Sequence, residues 1–242
     1  MSGNERLADM PFMAHLRDLR GLIITIFVVL LVGTLATWYF SDEILDMISG
    51  LLPEGEVTHI FAPAETFLIR LKVSAVCGLI LGIPFVLWRL WSFIAPGLFR
   101  KERKRLLTVF SSSVLLFYAG TLFAYLVIIP IMIQYFFGLR PEDSQMTVGI
   151  SQLFTIVAKL SVAFGVVFQL PLVILVLSAM GMISPKWLLK QWRWALIVML
   201  VFSSLLTPPD IISQIAMTVP LFVLFIASGV IAIVFERKKK RD

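Results

Sequence analysis

From Gly21 to Phe40 the chain runs for twenty positions without a charged side chain. At 1.5 Å per residue such a run makes roughly 30 Å of helix, the thickness of a bilayer's hydrocarbon core. Further apolar runs extend from about Val73 to Ile94, Leu106 to Phe137, Leu153 to Met182, Trp194 to Leu206 and Ile211 to Phe235. The pattern predicts an all-α membrane protein with six transmembrane helices, a single integral membrane domain over residues 1–242. An even number of spans puts both termini on one side. The first run is longer than the apolar core of a signal peptide and lacks a small-x-small cleavage site, so it reads as a retained span.

Four of the runs contain a proline: Pro84, Pro130, Pro171 and Pro220. Each removes a backbone donor in a medium without water, which predicts bent helices and a concave, cup-like bundle. Pro171 would free the carbonyl of Val167. Gln169, in the same turn, either satisfies that carbonyl or faces a partner helix. Lys159 lies six residues into the fourth run, near enough to the end for its stem to snorkel outward. The fifth run is short, about 20 Å of helix from Trp194 to Leu206. Either Trp187 to Arg193 lies along the membrane interface or the bilayer is thinned locally. Pro208 and Pro209 then end that helix in a tight turn at "TPPD".

Charge sets the orientation, because basic loops resist translocation. One side collects Arg6, Arg17 and Arg20, then Arg100, Lys101, Arg103, Lys104 and Arg105, then Lys186, Lys190 and Arg193, and finally Arg237 to Arg241. The opposite loops carry Asp42, Glu43, Asp46, Glu54, Glu56, Glu65, Glu142, Asp143 and Asp210, with few bases beyond Arg70, Lys72 and Arg140. The basic side is expected to be cytoplasmic. It then holds an N-terminal segment of residues 1–20 and a basic tail of residues 236–242, and the first outer loop is the largest.

Composition agrees: 59% of residues are hydrophobic and 15% charged, with a mean hydropathy of +0.95. That balance excludes a soluble globule. The net charge of +6 is divided among loops between membrane-length runs, which argues against a nucleic-acid partner. Cys77 is the single cysteine, and His15 and His59 are the two histidines; neither histidine has a partner at metal-ligand spacing. No metal, haem or other cofactor is expected. No acid lies in the middle of a span, and no nucleotide-binding, GxSxG or HExxH motif is present, so no catalytic machinery is visible.

In "FIAPGLFRKERKR", Phe93 to Arg105, the acid Glu102 sits among five bases. One reading is a surface pair with Arg105 at the start of a helix. Another is a receptor group: Glu102 and Asp18, both on the basic side, could each grip a guanidinium of an incoming cationic peptide through charge-assisted bonds. The residues alone leave both open.

"PFMAHLRDLR", "FIAPGLFRKERKR", "SSSVLLFYAGTLFAY", "AFGVVFQLP" and "LTPPDIISQ" together resemble the TatC family, the multispanning subunit of the twin-arginine protein translocase. The likeness runs from about Pro11 to Pro220 in the family's order. It implies a non-enzymatic receptor in the cytoplasmic (inner) membrane. Such a receptor binds signal peptides bearing consecutive arginines and nucleates transport of folded proteins, drawing on the proton-motive force. Its partners would be the single-span proteins TatA and TatB, membrane lipid and further copies of the chain within a complex. By the family's pattern Asp18, Arg20, Phe93, Lys101 and Glu102 form the signal-peptide site, and Gln169, Thr207 and Gln214 meet partner helices. Pro84, Tyr125 and Asp210 fall on further sensitive positions. Four positions depart from the family: Asp18 replaces a longer Glu, Gln169 stands where some members have Glu, Leu51 where some have proline, and Ile226 where several have Glu.

Two readings from other classes remain as expectations to be tested. A small-solute secondary transporter would need an intramembrane carboxylate or paired broken helices in repeated halves. A passive scaffold would tolerate substitution at Glu102 and Asp18.

Overall fold

The computed structural model describes residues 4–53, 55–98, 103–140, 147–179, 181–206 and 210–239. Among them five helical segments are long and apolar enough to cross a membrane: Leu19–Ser49, Pro63–Ser92, Leu107–Gly138, Ile150–Ala179 and Ile211–Glu236. A sixth, Trp192–Leu206, is apolar but shorter. These are the six predicted runs, including the short fifth. The chain is a multi-pass, all-helical membrane protein. It divides into two compact units, Met1–Ile44 with Thr66–Val114, and Leu45–Glu65 with Leu115–Asp242.

In the first unit α1 (Asn4–Thr37) is followed by one 3-10 turn, Trp38–Phe40, and by α2 (Ser41–Ser49), whose later part belongs to the second unit. α1 starts well before the predicted Gly21. At 34 residues it is about 51 Å long, so part of it projects beyond a hydrocarbon core. α3 (Pro63–Leu98) is longer still and runs on through Pro84.

α1 and α3 meet at three rungs spaced four residues apart on each helix, the repeat that keeps side chains on one face. Val29 Cγ1 lies where a Cβ on Gly82 would stand, the backbones of Gly33 and Gly78 touch, and the Thr37 hydroxyl donates to the Ser74 carbonyl at 2.7 Å. Small residues are what such a contact requires. Helices gain nothing from hiding apolar area when lipid is the solvent, so they associate by close packing and interhelical hydrogen bonds.

The second unit shows where the proline expectation needs correction. The third run is one continuous helical stretch, in which α4 (Arg103–Phe123) passes into a π-helical segment, Ala124–Ile128, and then into α5 (Ile129–Gly138), which holds Pro130. The fourth run divides, into α6 (Ile150–Val167) and α7 (Leu170–Ala179), with Pro171 near the start of α7. A proline in a first helical turn gives up an N–H that has no intrahelical acceptor anyway. The chain thus restarts a helix at Pro171, whereas Pro84, Pro130 and Pro220 stay inside continuous helical stretches.

Gln169 stands at the α6–α7 break. Its N–H donates to the Val166 carbonyl at 3.0 Å, and its own carbonyl accepts from Leu172 and Val173 at 3.0 and 2.9 Å. Just past α7, the positive φ of Gly181, 75°, lets the Met182 N–H reach back to the Leu177 carbonyl and the Gly181 N–H to that of Ser178. α8 (Pro185–Lys190) and α9 (Trp192–Leu206) follow, then α10 (Ile211–Lys239), against which α7, α8 and α9 all pack. The predicted short span at Trp194 is α9, about 22 Å long by its fifteen residues.

Two strands escaped the sequence reading. β1 (Thr58–His59) and β2 (Val148–Gly149) pair in parallel, tying the connection after α2 to the one before α6. Arg140 and Glu56 make an ion pair between the same two connections. In the first unit Arg70 pairs with Asp42 at 2.8 Å, so two of the few bases on the acidic side each hold a carboxylate of that side. Reversing one charge, Arg140→Glu, is expected to lower thermal stability in detergent by about 1 kcal/mol, since the pair is only partly buried. The double reversal with Glu56→Arg should recover most of it. Equal melting of single and double variants would remove the pair from the account of this contact.

Candidate functional site

The polar positions singled out by the sequence fall on different elements. Arg20 is exposed on α1. The backbones of Asp18 and Phe93 lie on α1 and α3, and both helices contribute to the first unit; their side chains are outside the described residues. Lys101, Glu102 and Thr207 lie outside them altogether. Pro84 is half-buried on α3.

In the second unit three of the positions gain partners. Tyr125 stands in the π-helical segment, and its hydroxyl donates to the Met47 carbonyl on α2 at 3.3 Å. A π turn shifts the side chains that follow relative to an α-helix, which is why such segments often carry functional groups. Asp210 opens α10: its Oδ2 accepts from the Ser213 N–H at 2.8 Å and its carbonyl from the Gln214 N–H at 3.2 Å. Its Oδ1 is buried and has no hydrogen-bond partner among the described residues.

Gln214 reaches across to α9, where its Nε2 donates to the Leu200 carbonyl at 2.8 Å. One turn on, the Thr218 hydroxyl donates to the Gln214 carbonyl at 2.7 Å, and its oxygen lies 3.0 Å from the Ser203 hydroxyl of α9. Ser203 and Thr218 are both buried. The short α9 is thus held to α10 by a polar seam in a segment that is otherwise apolar. The sequence pointed to Gln214 through its motif. Ser203 and Thr218 went unremarked, because isolated hydroxyls in apolar runs usually bond their own helix. Hydroxyl and amide bonds between membrane helices are worth about 0.6 to 2 kcal/mol. A double-mutant cycle of Ser203→Ala and Thr218→Val, read by unfolding in mixed micelles, is therefore expected to show a coupling of about 1 kcal/mol. Additive effects would mean that the two hydroxyls do not bond.

The elements so arranged define a polytopic helical membrane protein with polar groups placed at its loops and at one helix seam. Residues 14–220 match the model of the family described as Sec-independent protein translocase protein (TatC). Among similar proteins, the Sec-independent protein translocase protein TatC of Desulforapulum autotrophicum is 33% identical over 236 residues, covering 96% of this chain and 87% of the relative. That of Escherichia coli strain K12 is 34% identical over 219 residues, covering 89% and 85%. A crystal structure of the twin arginine translocase receptor TatC superposes with a TM-score of 0.81 at 30% identity, over 90% of this chain and 99% of that one. The chain belongs to the TatC family, whose members are components of protein transport rather than enzymes. The alternative of a small-solute secondary transporter finds no support in these likenesses.

Proposed function

We propose that this protein is the signal-peptide receptor and core component of a twin-arginine translocase. It lies in the cytoplasmic membrane with both termini in the cytoplasm. Asp18 and Glu102 form the anionic part of the site, Phe93 an apolar neighbour, and Arg20 and Lys101 the local charge balance. A guanidinium offers a planar fork that a carboxylate accepts through two parallel bonds, which an ammonium cannot reproduce. That geometry accounts for a preference for paired arginines over paired lysines.

Single-span partners of the TatA and TatB type, in an assembly with several copies of this chain, are assigned to Gln169, Thr207 and Gln214. Gln214 already spends one amide N–H on the Leu200 carbonyl, so a partner helix would use its remaining polar capacity. Pro84, Tyr125 and Asp210 are further positions on which function depends, and transport of folded cargo draws on the proton-motive force.

The observation that carries this reading is the family match over residues 14–220, together with the acid–base pattern at Asp18 and in "FRKERKR". The test is photo-cross-linking of a signal peptide carrying Arg-Arg, against its Lys-Lys version, to the purified protein. Preferential labelling by Arg-Arg is expected. Equal labelling would overturn the receptor assignment.

A further inference from the structure

The connection from α7 to α9 differs from the other turns. Within eight residues, 187–194, lie three of the chain's six tryptophans, and Lys186, Lys190 and Arg193 accompany them with no acid anywhere from Gly181 to Leu206. None of the three cations is paired with a carboxylate among the described residues; Arg193 instead lies over the Trp192 ring at 5.6 Å. Trp187 is 56% and Trp194 68% exposed. A cationic, aromatic surface of this kind is costly in hydrocarbon and well suited to the headgroup layer, where indole rings partition and Lys and Arg meet lipid phosphate.

The surface is held in place from behind. Pro185 is buried, and Leu189 fills the space beside Gly229 of α10, where a Cβ would come within 2.4 Å of its Cδ2. Trp192 rests against the Phe222 ring at 6.3 Å. α8 is thus pinned by Pro185 and Leu189, while Lys186 and Lys190, four residues apart and so on one face, are exposed. α9 begins immediately afterwards and falls about 8 Å short of a hydrocarbon core. A span shorter than the hydrocarbon core is accommodated by flanking residues that reach the interface or by local thinning of the bilayer.

We propose that Lys186, Trp187, Lys190, Trp192, Arg193 and Trp194 form a binding surface for the headgroups of anionic phospholipids. It fixes the start of the short α9 at the membrane interface. The cations hold the phosphate by charge, and the rings set the depth. This surface is separate from the signal-peptide reading, and either can fail without the other.

The full chain is reconstituted in nanodiscs of phosphatidylcholine with one-fifth phosphatidylglycerol, and the lipid that stays bound after release into detergent is identified by native mass spectrometry. In the wild type the ratio of retained phosphatidylglycerol to phosphatidylcholine is expected to be about tenfold above that of the bilayer, because the cations favour the anionic headgroup. The triple variant Lys186→Gln, Lys190→Gln, Arg193→Gln should lose that enrichment. A Lys186→Arg, Lys190→Arg variant should keep it, as should Lys159→Gln, which removes an exposed lysine on α6. Unchanged enrichment in the triple variant overturns the proposal, as does its equal loss in Lys159→Gln. Displacement of the retained lipid by millimolar inorganic phosphate would also overturn it, since a free anion would then be the ligand.

Discussion

Alanine at position 78 is expected to prevent α1 and α3 from closing, with a loss of about 3 kcal/mol at the upper end of overpacking costs. A Cβ on Gly78 would lie 2.3 Å from the carbonyl carbon of Gly33 and 2.6 Å from the Thr34 nitrogen. Both are backbone atoms on the facing helix, so no rotamer change relieves the clash. The helices must separate, and separation breaks the neighbouring rungs as well: the fit of Val29 over Gly82 and the bond from Thr37 to the Ser74 carbonyl. Gly21→Ala, on the same α1 but with nothing within 4 Å of the added carbon, should leave stability unchanged. Unfolding of the two variants in mixed micelles separates the cases. Equal stability of Gly78→Ala and Gly21→Ala would mean that this crossing is looser than the three rungs require.

These rungs also show what the sequence could and could not reveal. Ser74, Gly78 and Gly82 stand four apart, and so do Val29, Gly33 and Thr37, yet spacing says only that each trio shares a face. Which trio meets which depends on the register between two helices far apart in the chain, and apolar runs carry no register. Span number and length were legible because a bilayer imposes a length on every crossing helix. The π-helical segment at Ala124–Ile128 and the break at Phe168–Gln169 were not. A proline predicts a local loss of one hydrogen bond, whereas at Pro171 the chain avoids that loss by starting a new helix with the proline in its first turn. β1 and β2 were invisible for a different reason: two residues on each side cannot show a period.

The candidate site divides along the same line. Asp210, Gln214 and Tyr125 were singled out by motif, and each now has a named bond. Motif alone did not foresee that Gln214 reaches the Leu200 carbonyl of its own chain. Asp18 and Glu102 were assigned through the family resemblance, because an acid among bases reads equally as a surface ion pair or as a receptor group.

Glu102→Gln is expected to weaken Arg-Arg signal-peptide binding by about 30- to 150-fold, while yield and membrane insertion stay normal. Glutamine keeps the size of the side chain and one acceptor oxygen, so packing changes little. The substitution removes the charge that makes the guanidinium bonds strong, a loss of about 2 to 3 kcal/mol when charge-assisted bonds become neutral or go unmade. The five bases around Glu102 sharpen the effect: without its carboxylate the segment Arg100–Arg105 repels a cationic peptide outright. The Lys-Lys peptide, which binds only through point charges, should lose less, so the ratio between the two peptides falls toward one. Raising the salt should weaken what binding remains in every case, because mobile ions screen the attraction between charges. Binding is measured by titrating labelled peptide onto the full chain in nanodiscs, with export of a folded twin-arginine cargo followed in parallel. A variant that binds and exports like the wild type would return Glu102 to a surface partner of Arg105 and move the receptor site elsewhere on the molecule.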